Sequence, residues 1–181
     1  MPEYPDKNKF IKEINEIITH FSEKLQNCKK SKTKKNNIDI LINNAGVSMR
    51  ALVQEVDFDT IRRVMDINFW GTVYCTKFAL DQIIKNKGTI VGVSSIAGYR
   101  GLPGRSGYSA SKFALQGWLE ALKTELIEKG VHVMWVSPGF TASNIRNVAL
   151  NQRGEAQGES PLDEKSLMDA DTCAGIIVEA V

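Results

Sequence analysis

The chain has 181 residues, 43% hydrophobic and 24% charged, with 14 glycines and 5 prolines, which suits one globular domain and excludes a low-complexity or collagen-like chain. A formal net charge of +2 is too small to argue for a nucleic acid or an anionic membrane as partner. The first ten residues, "MPEYPDKNKF", lack a signal peptide's apolar stretch and no apolar run approaches a membrane span, so a cytoplasmic protein is expected.

Taken in chain order, residues 8 to 27 place Phe10, Ile14, Ile17, Phe21 and Leu25 at spacings of three and four, which predicts an amphipathic helix. "CKKSKTKK" (28 to 35) holds five lysines and reads as a solvated linker, so residues 1 to 37 form a helix-plus-linker unit ahead of a domain over 38 to 181. "IDILIN" (38 to 43) is a short apolar run ended by "NAG" and predicts a strand buried on both faces. Residues 58 to 86 are mostly helical, and "GTIVGVS" (88 to 94) is a second buried strand. A glycine-rich loop, 98 to 107, leads into a helix over 108 to 129 striped by Leu115, Leu119, Leu122 and Leu126. "VHVMWVS" (131 to 137) is a third strand, ended by Pro138 and Gly139; a polar segment, 142 to 166, precedes a final short helix. Strands alternating with helices predict an α/β fold with a parallel sheet.

The chemistry centres on "YSASK" (108 to 112). Tyr108 and Lys112, four apart on a helix, share one face, and an ammonium beside a phenol favours the phenolate. That makes the pair a general acid/base candidate, although the spacing alone is a weak signal. Ser94 and Ser95 end the second strand, where open α/β sheets bind ligands, so a serine hydroxyl and the phenol can meet on one substrate oxygen. A serine hydrolase would want G-x-S-x-G, and "GVSSI" (92 to 96) lacks the second glycine. His20 and His132 have no carboxylate pattern around them and read as structural. Cys28, Cys75 and Cys173 contain no C-x-x-C and make neither a disulfide framework nor a zinc site; no metal is expected.

Five ordered motifs, "NNAG" (43 to 46), "MDINFWGT" (65 to 72), "VSSIAG" (93 to 98), "YSASK" and "SPGFTAS" (137 to 143), together resemble the short-chain dehydrogenase/reductase family. The resemblance covers residues 38 to 145. It implies an NAD(P)-dependent oxidoreductase that moves a hydride between the cofactor and a carbonyl or alcohol carbon of a small molecule. By the same likeness Tyr108 is the acid/base, Ser95 (13 residues before it) holds the substrate oxygen, and Lys112 assists the tyrosine and binds the cofactor ribose. Asn68 would interrupt its helix and hold a proton-relaying water. Around the cofactor the resemblance sets Asn43, Asn44, Ala45 and Gly46, the two asparagines tying neighbouring strands together, and Pro138, Gly139 and Thr141 against the nicotinamide. Residues 142 to 166 are similar to the family's substrate lid, with a disordered connector as the other reading.

The family's pattern begins with a strand and a T-G-x-x-x-G-x-G turn that embraces the cofactor's pyrophosphate. The 37 residues before "IDILIN" contain no glycine, and "GYRGLPGRSG" (98 to 107) sits between Ser95 and Tyr108, the wrong place for that turn. The expected architecture is therefore a partial Rossmann-like, doubly wound parallel sheet without the family's first three strands and its last. Weak NAD or NADP binding is expected, with "IDILIN" as an apolar edge. The alternative is a catalytically impaired copy serving as an assembly module, a homo-oligomer packed through helices 58 to 86 and 108 to 129.

Overall fold

A computed structural model describes residues 38–181, and the predicted helix over 8–27 and its linker lie outside the described residues. Contacts divide the chain into Met1–Asn36 and Asn37–Val181, and the second unit is the one described here.

Three strands, β1 (Ile40–Asn43), β2 (Thr89–Val93) and β3 (His132–Val136), form a parallel sheet in the order β1-β2-β3. Ile40 pairs with Thr89, and Thr89 with His132. Between β1 and β2 run α1 (Phe58–Met65), a π-helical turn (Asp66–Trp70) and α2 (Gly71–Asn86). Between β2 and β3 runs α3 (Ser106–Leu126), and α4 (Ala170–Glu179) comes last.

The leucine stripe of α3 does what its spacing predicts. Leu115, Leu119, Leu122 and Leu126 are buried with Ala79 and Ile83 of α2 and with Ile90 and Val133 of the sheet. Each such side chain removed from water contributes about 1.5–3 kcal/mol, so this cluster is the main stabilising body of the unit. Gly92 decides how closely α3 seats on β2. A Cβ there would lie 2.3 Å from Leu119 Cδ1, so a side chain could be admitted only if Leu119 moved.

One expectation about the elements needs correcting. The run 38–43 is not buried on both faces: Leu41 packs against the core, but Ile40 and Ile42 remain 53% and 42% exposed. Side chains alternate along a strand, and β1 has only β2 beside it among the described residues, so its second face stays open. The helix over 58–86 is broken at Asn68, the interruption that the resemblance implied. Its π turn bonds Gly71 N–H back to Asp66 O, five residues earlier, and rotates the residues within it.

The polar segment 142–166 is folded, and the connector reading fails. Leu150 bridges to Met49 and to Ala156, Thr141 to Met168, and Arg146 forms a two-pronged ion pair with Glu164. That pair and a bond from Ser160 hold the Glu164 carboxyl down to about 2. Arg146 is 7% exposed, which its polar neighbourhood in the sequence hides.

Candidate active site

The π turn sits where the sequence needs Asn68 to point inward. Asn68 is fully buried, and its carboxamide is saturated. Its Oδ1 accepts from Val47 N at 2.8 Å, and its Nδ2 donates to Val47 O and to Ser111 Oγ, both at 2.9 Å. Ser111 in turn donates to Tyr108 O at 2.7 Å. A continuous chain of bonds therefore runs from the loop leaving β1, through the π turn, to the first turns of α3.

Lys112 lies on the same side of α3. Its ammonium donates to Val93 O at 2.9 Å and stands 5.8 Å from the centre of the Tyr108 ring. Burial pulls its pKa down to about 8. Gly46 completes the junction: a Cβ there would come to 3.2 Å from Asn68 Oδ1 and 3.4 Å from Lys112 Nζ. Residues 46, 68 and 112, far apart in sequence, thus meet at one point.

Tyr108 is 7% exposed and packs with Met49, Ala51, Val64, Ala97 and Leu150. Ala97 belongs to the 3-10 turn Ile96–Gly98 that Ser95 caps, so the serine's own turn rests against the tyrosine. The two serines just past β2 are not equivalent. Ser94 is buried and its hydroxyl accepts from Gln116 Nε2 at 2.8 Å. Ser95 is half-buried, and its hydroxyl accepts only a 3.2 Å bond from Ala97 N.

The remaining predicted positions divide. Asn44 and Ala45 are exposed just past β1, and Gly139 is exposed just past β3, beside half-buried Pro138. Thr141 Oγ1 donates to Gly139 O at 3.4 Å, and Arg146 Nη2 fixes Thr141 O at 2.6 Å. Asn43 departs from expectation: its side chain donates to Thr76 Oγ1 of α2 at 3.1 Å, tying strand to helix rather than strand to strand. It shares a face with Leu41, which already looks towards α2, so a helix is what lies within its reach.

Sequence reasoning missed Ser111 and Gln116. Both lie on α3 within four residues of Tyr108 or Lys112, the spacing that puts side chains on one face, and that signal was open to use. The bond from Arg105 Nη1 to Ser48 Oγ, 2.8 Å long, had no such signal because it joins a loop to a helix start 57 residues away.

The profile of the short chain dehydrogenase family matches residues 11–154. Dehydrogenase/reductase SDR family member 7B of Mus musculus is 40% identical over 122 residues, covering 67% of this chain and 38% of that protein. Dehydrogenase/reductase SDR family protein 7-like of Drosophila melanogaster is 35% identical over 147 residues, covering 81% of this chain and 45% of the relative. The chain thus spans less than half the length of these relatives. Among solved structures, a 4-hydroxyisoleucine dehydrogenase complexed with NADH superposes with a TM-score of 0.59 at 29% identity, over 70% of this chain and 54% of that one. A gluconate 5-dehydrogenase from Burkholderia cenocepacia J2315, in complex with NADP and tartrate, gives 0.59 over 61% of this chain and 44% of that one; at 23% identity it speaks for the fold alone. Among the described residues no helix is long and apolar enough to cross a membrane. With the profile matched over most of its length and its parallel α/β sheet shared with those structures, the chain belongs to the short-chain dehydrogenase family.

Proposed function

We propose that the protein is an NAD(P)-dependent oxidoreductase acting on a small carbonyl or alcohol, with Tyr108 as acid/base. The observation that carries this reading is the meeting of Gly46, Asn68 and Lys112 beside the Tyr108 ring, with the lightly engaged hydroxyl of Ser95 on the adjoining turn.

The residues present fit a nicotinamide cofactor. Gly46 leaves a space that a Cβ would fill, and Lys112 has three donors, of which Val93 O takes one. Asn44, Ala45 and Gly139 are open past the carboxyl ends of β1 and β3, where such sheets bind dinucleotides. Lys112 would hold the ribose, Asn43 to Gly46 would wall one side, and Pro138, Gly139 and Thr141 the other. The cofactor, when bound, supplies or accepts the hydride.

The chain's own groups handle the proton. Ser95 Oγ donates to the substrate oxygen and fixes its position, while Tyr108 transfers its phenolic proton to that oxygen as negative charge develops there. The Lys112 ammonium stabilises the phenolate left behind. Asn68 holds the Val47 backbone and Ser111 in place, and its backbone carbonyl already accepts from Thr72 Oγ1 at 3.3 Å, so a relay water would share that oxygen.

NADH and NADPH oxidation at 340 nm, followed with a panel of ketones and aldehydes, tests the reading. Tyr108→Phe is expected to lower kcat/KM by about 100-fold or more with cofactor affinity retained. An unchanged rate in that variant would rule out the tyrosine as proton donor.

A second reading, assembly through the long helices, is favoured by one observation. Trp70, Tyr74 and Phe78 recur every four residues along the π turn and α2, with the Trp70 and Tyr74 rings stacked 5.9 Å apart. Trp70 and Phe78 are 43% and 75% exposed, and Phe113 on α3 is 47% exposed. Exposed aromatic rows of this kind mark contacts between chains.

A further inference from the structure

Three arginines gather at the start of α3, where Arg50 and Arg146 both act on the charge of Arg105, and only one is neutralised. Arg146 is paired with Glu164. Arg105 is the residue before α3, three positions ahead of Tyr108, and its guanidinium donates to the hydroxyl of buried Ser48. Arg50 lies two residues beyond Ser48, and its Nη2 donates to Glu159 O at 3.2 Å. Both acceptors are neutral, and among the described residues neither arginine makes a salt bridge.

The backbone explains why the two converge. Arg50 N–H donates to Leu150 O, and Ala51 N–H to Gly104 O, so the loop 48–51 is stitched to the residue before Arg105. Met49 between them is fully buried against Gly107 and packs with Tyr108. Burial lowers the Arg105 pKa, and Tyr108, Arg50 and Arg146 are all near enough to act on its charge. A half-buried guanidinium held at one nitrogen by a serine, beside a second arginine and with no carboxylate on it among the described residues, keeps its remaining planar donors for something else. Desolvating such cations without a counter-charge is unfavourable, and the fork of donors matches a carboxylate or phosphate.

We infer that Arg105, supported by Arg50, binds an anionic group of the substrate, a carboxylate or a phosphate monoester, on the flank of Tyr108. The inference rests on the oxidoreductase reading for what the substrate does next, but the binding itself needs neither cofactor nor turnover. It follows that the preferred carbonyl compound carries a negative charge.

Malonate and inorganic phosphate, titrated calorimetrically into the protein at constant ionic strength with malonamide as the uncharged control, test it. At least one anion is expected to bind, malonate if the natural group is a carboxylate and phosphate if it is a phosphoryl group. Arg105→Met should weaken that binding about 10-fold or more, Arg105→Lys less, and Arg62→Met, on an exposed face of α1, not at all. No heat with either anion, or equal affinity in a folded Arg105→Met protein, overturns the inference. Should Arg105→Met fail to fold, Arg50→Met carries the same expectation of weaker binding. A protein that binds the anion but oxidises neither NADH nor NADPH would sink the proposed reaction and leave this site standing.

Discussion

At the scale of single residues, Lys112 is the clearest case of a charged group held in place at the expense of stability. It is 4% exposed, and burial brings its pKa down to about 8, against about 10.4 for a free lysine. The sign of the pH dependence follows. Below pH 8 both folded and unfolded chains carry the proton, and the folded state bears the full burden of a buried charge. Between about 8 and 10.4 the folded chain sheds a proton that the unfolded chain keeps, so this group's contribution becomes less destabilising as pH rises. Lys112→Met is therefore expected to melt higher than the parent at pH 7, by roughly 1–3 kcal/mol after allowing for the lost bond to Val93 O. Thermal melts of both proteins at pH 7 and pH 9.5 should show that advantage shrinking at the higher value. A variant less stable than the parent at pH 7 would mean that the ammonium stabilises the fold instead. Tyr108 and Lys112 were legible in the sequence because four residues on a helix fix their relation. In the sequence Ser95 is separated from Ser94 only by its likeness to a known pattern; in the fold the two differ in that Gln116 occupies the Ser94 hydroxyl.

Among the elements, most was legible where a periodic pattern meets a single neighbour. The leucines of α3 and the apolar β2 are buried as their spacing requires, because each faces one layer. The failures come where tertiary context decides. The edge position of "IDILIN" was expected, but the exposure of Ile40 and Ile42 on one face of it had no local signal. The π turn had only the likeness around Asn68 as its signal, since Asp66–Trp70 otherwise reads as an ordinary helical sequence; within it Asn68 reaches Val47 and Ser111. The open face of β1 also has a testable effect. Ile40 and Ile42 make an apolar edge of the kind that recruits other chains, so Ile42→Lys should delay the rise of light scattering on heating without lowering the melting temperature by more than about 1 kcal/mol equivalent. Unchanged scattering would show that this strand is not the site of association.

For the molecule as a whole, the aromatic row on α2 and Phe113 on α3 argue for pairing of two copies through these helices. Sedimentation velocity is expected to give a dimer for the parent and a monomer for the double variant Phe78→Arg, Phe113→Arg, with the circular dichroism spectrum preserved. A monomeric parent would remove the assembly reading. The segment after β3 bears on the whole in another way. Asp57 N–H donates to Gln152 O, Gln157 Nε2 to Arg50 O, and Arg63 Nη1 to Gly154 O, while Leu150 bridges to Met49. The same stretch that follows β1 is held at its other end by the Asn68 carboxamide. Engineers who wish to exchange the stretch near residue 150 for that of a relative must therefore transplant residues 47 to 57 with it. A chimaera carrying one without the other would mismatch its seams, and the misfit would be transmitted to the asparagine beside the tyrosine.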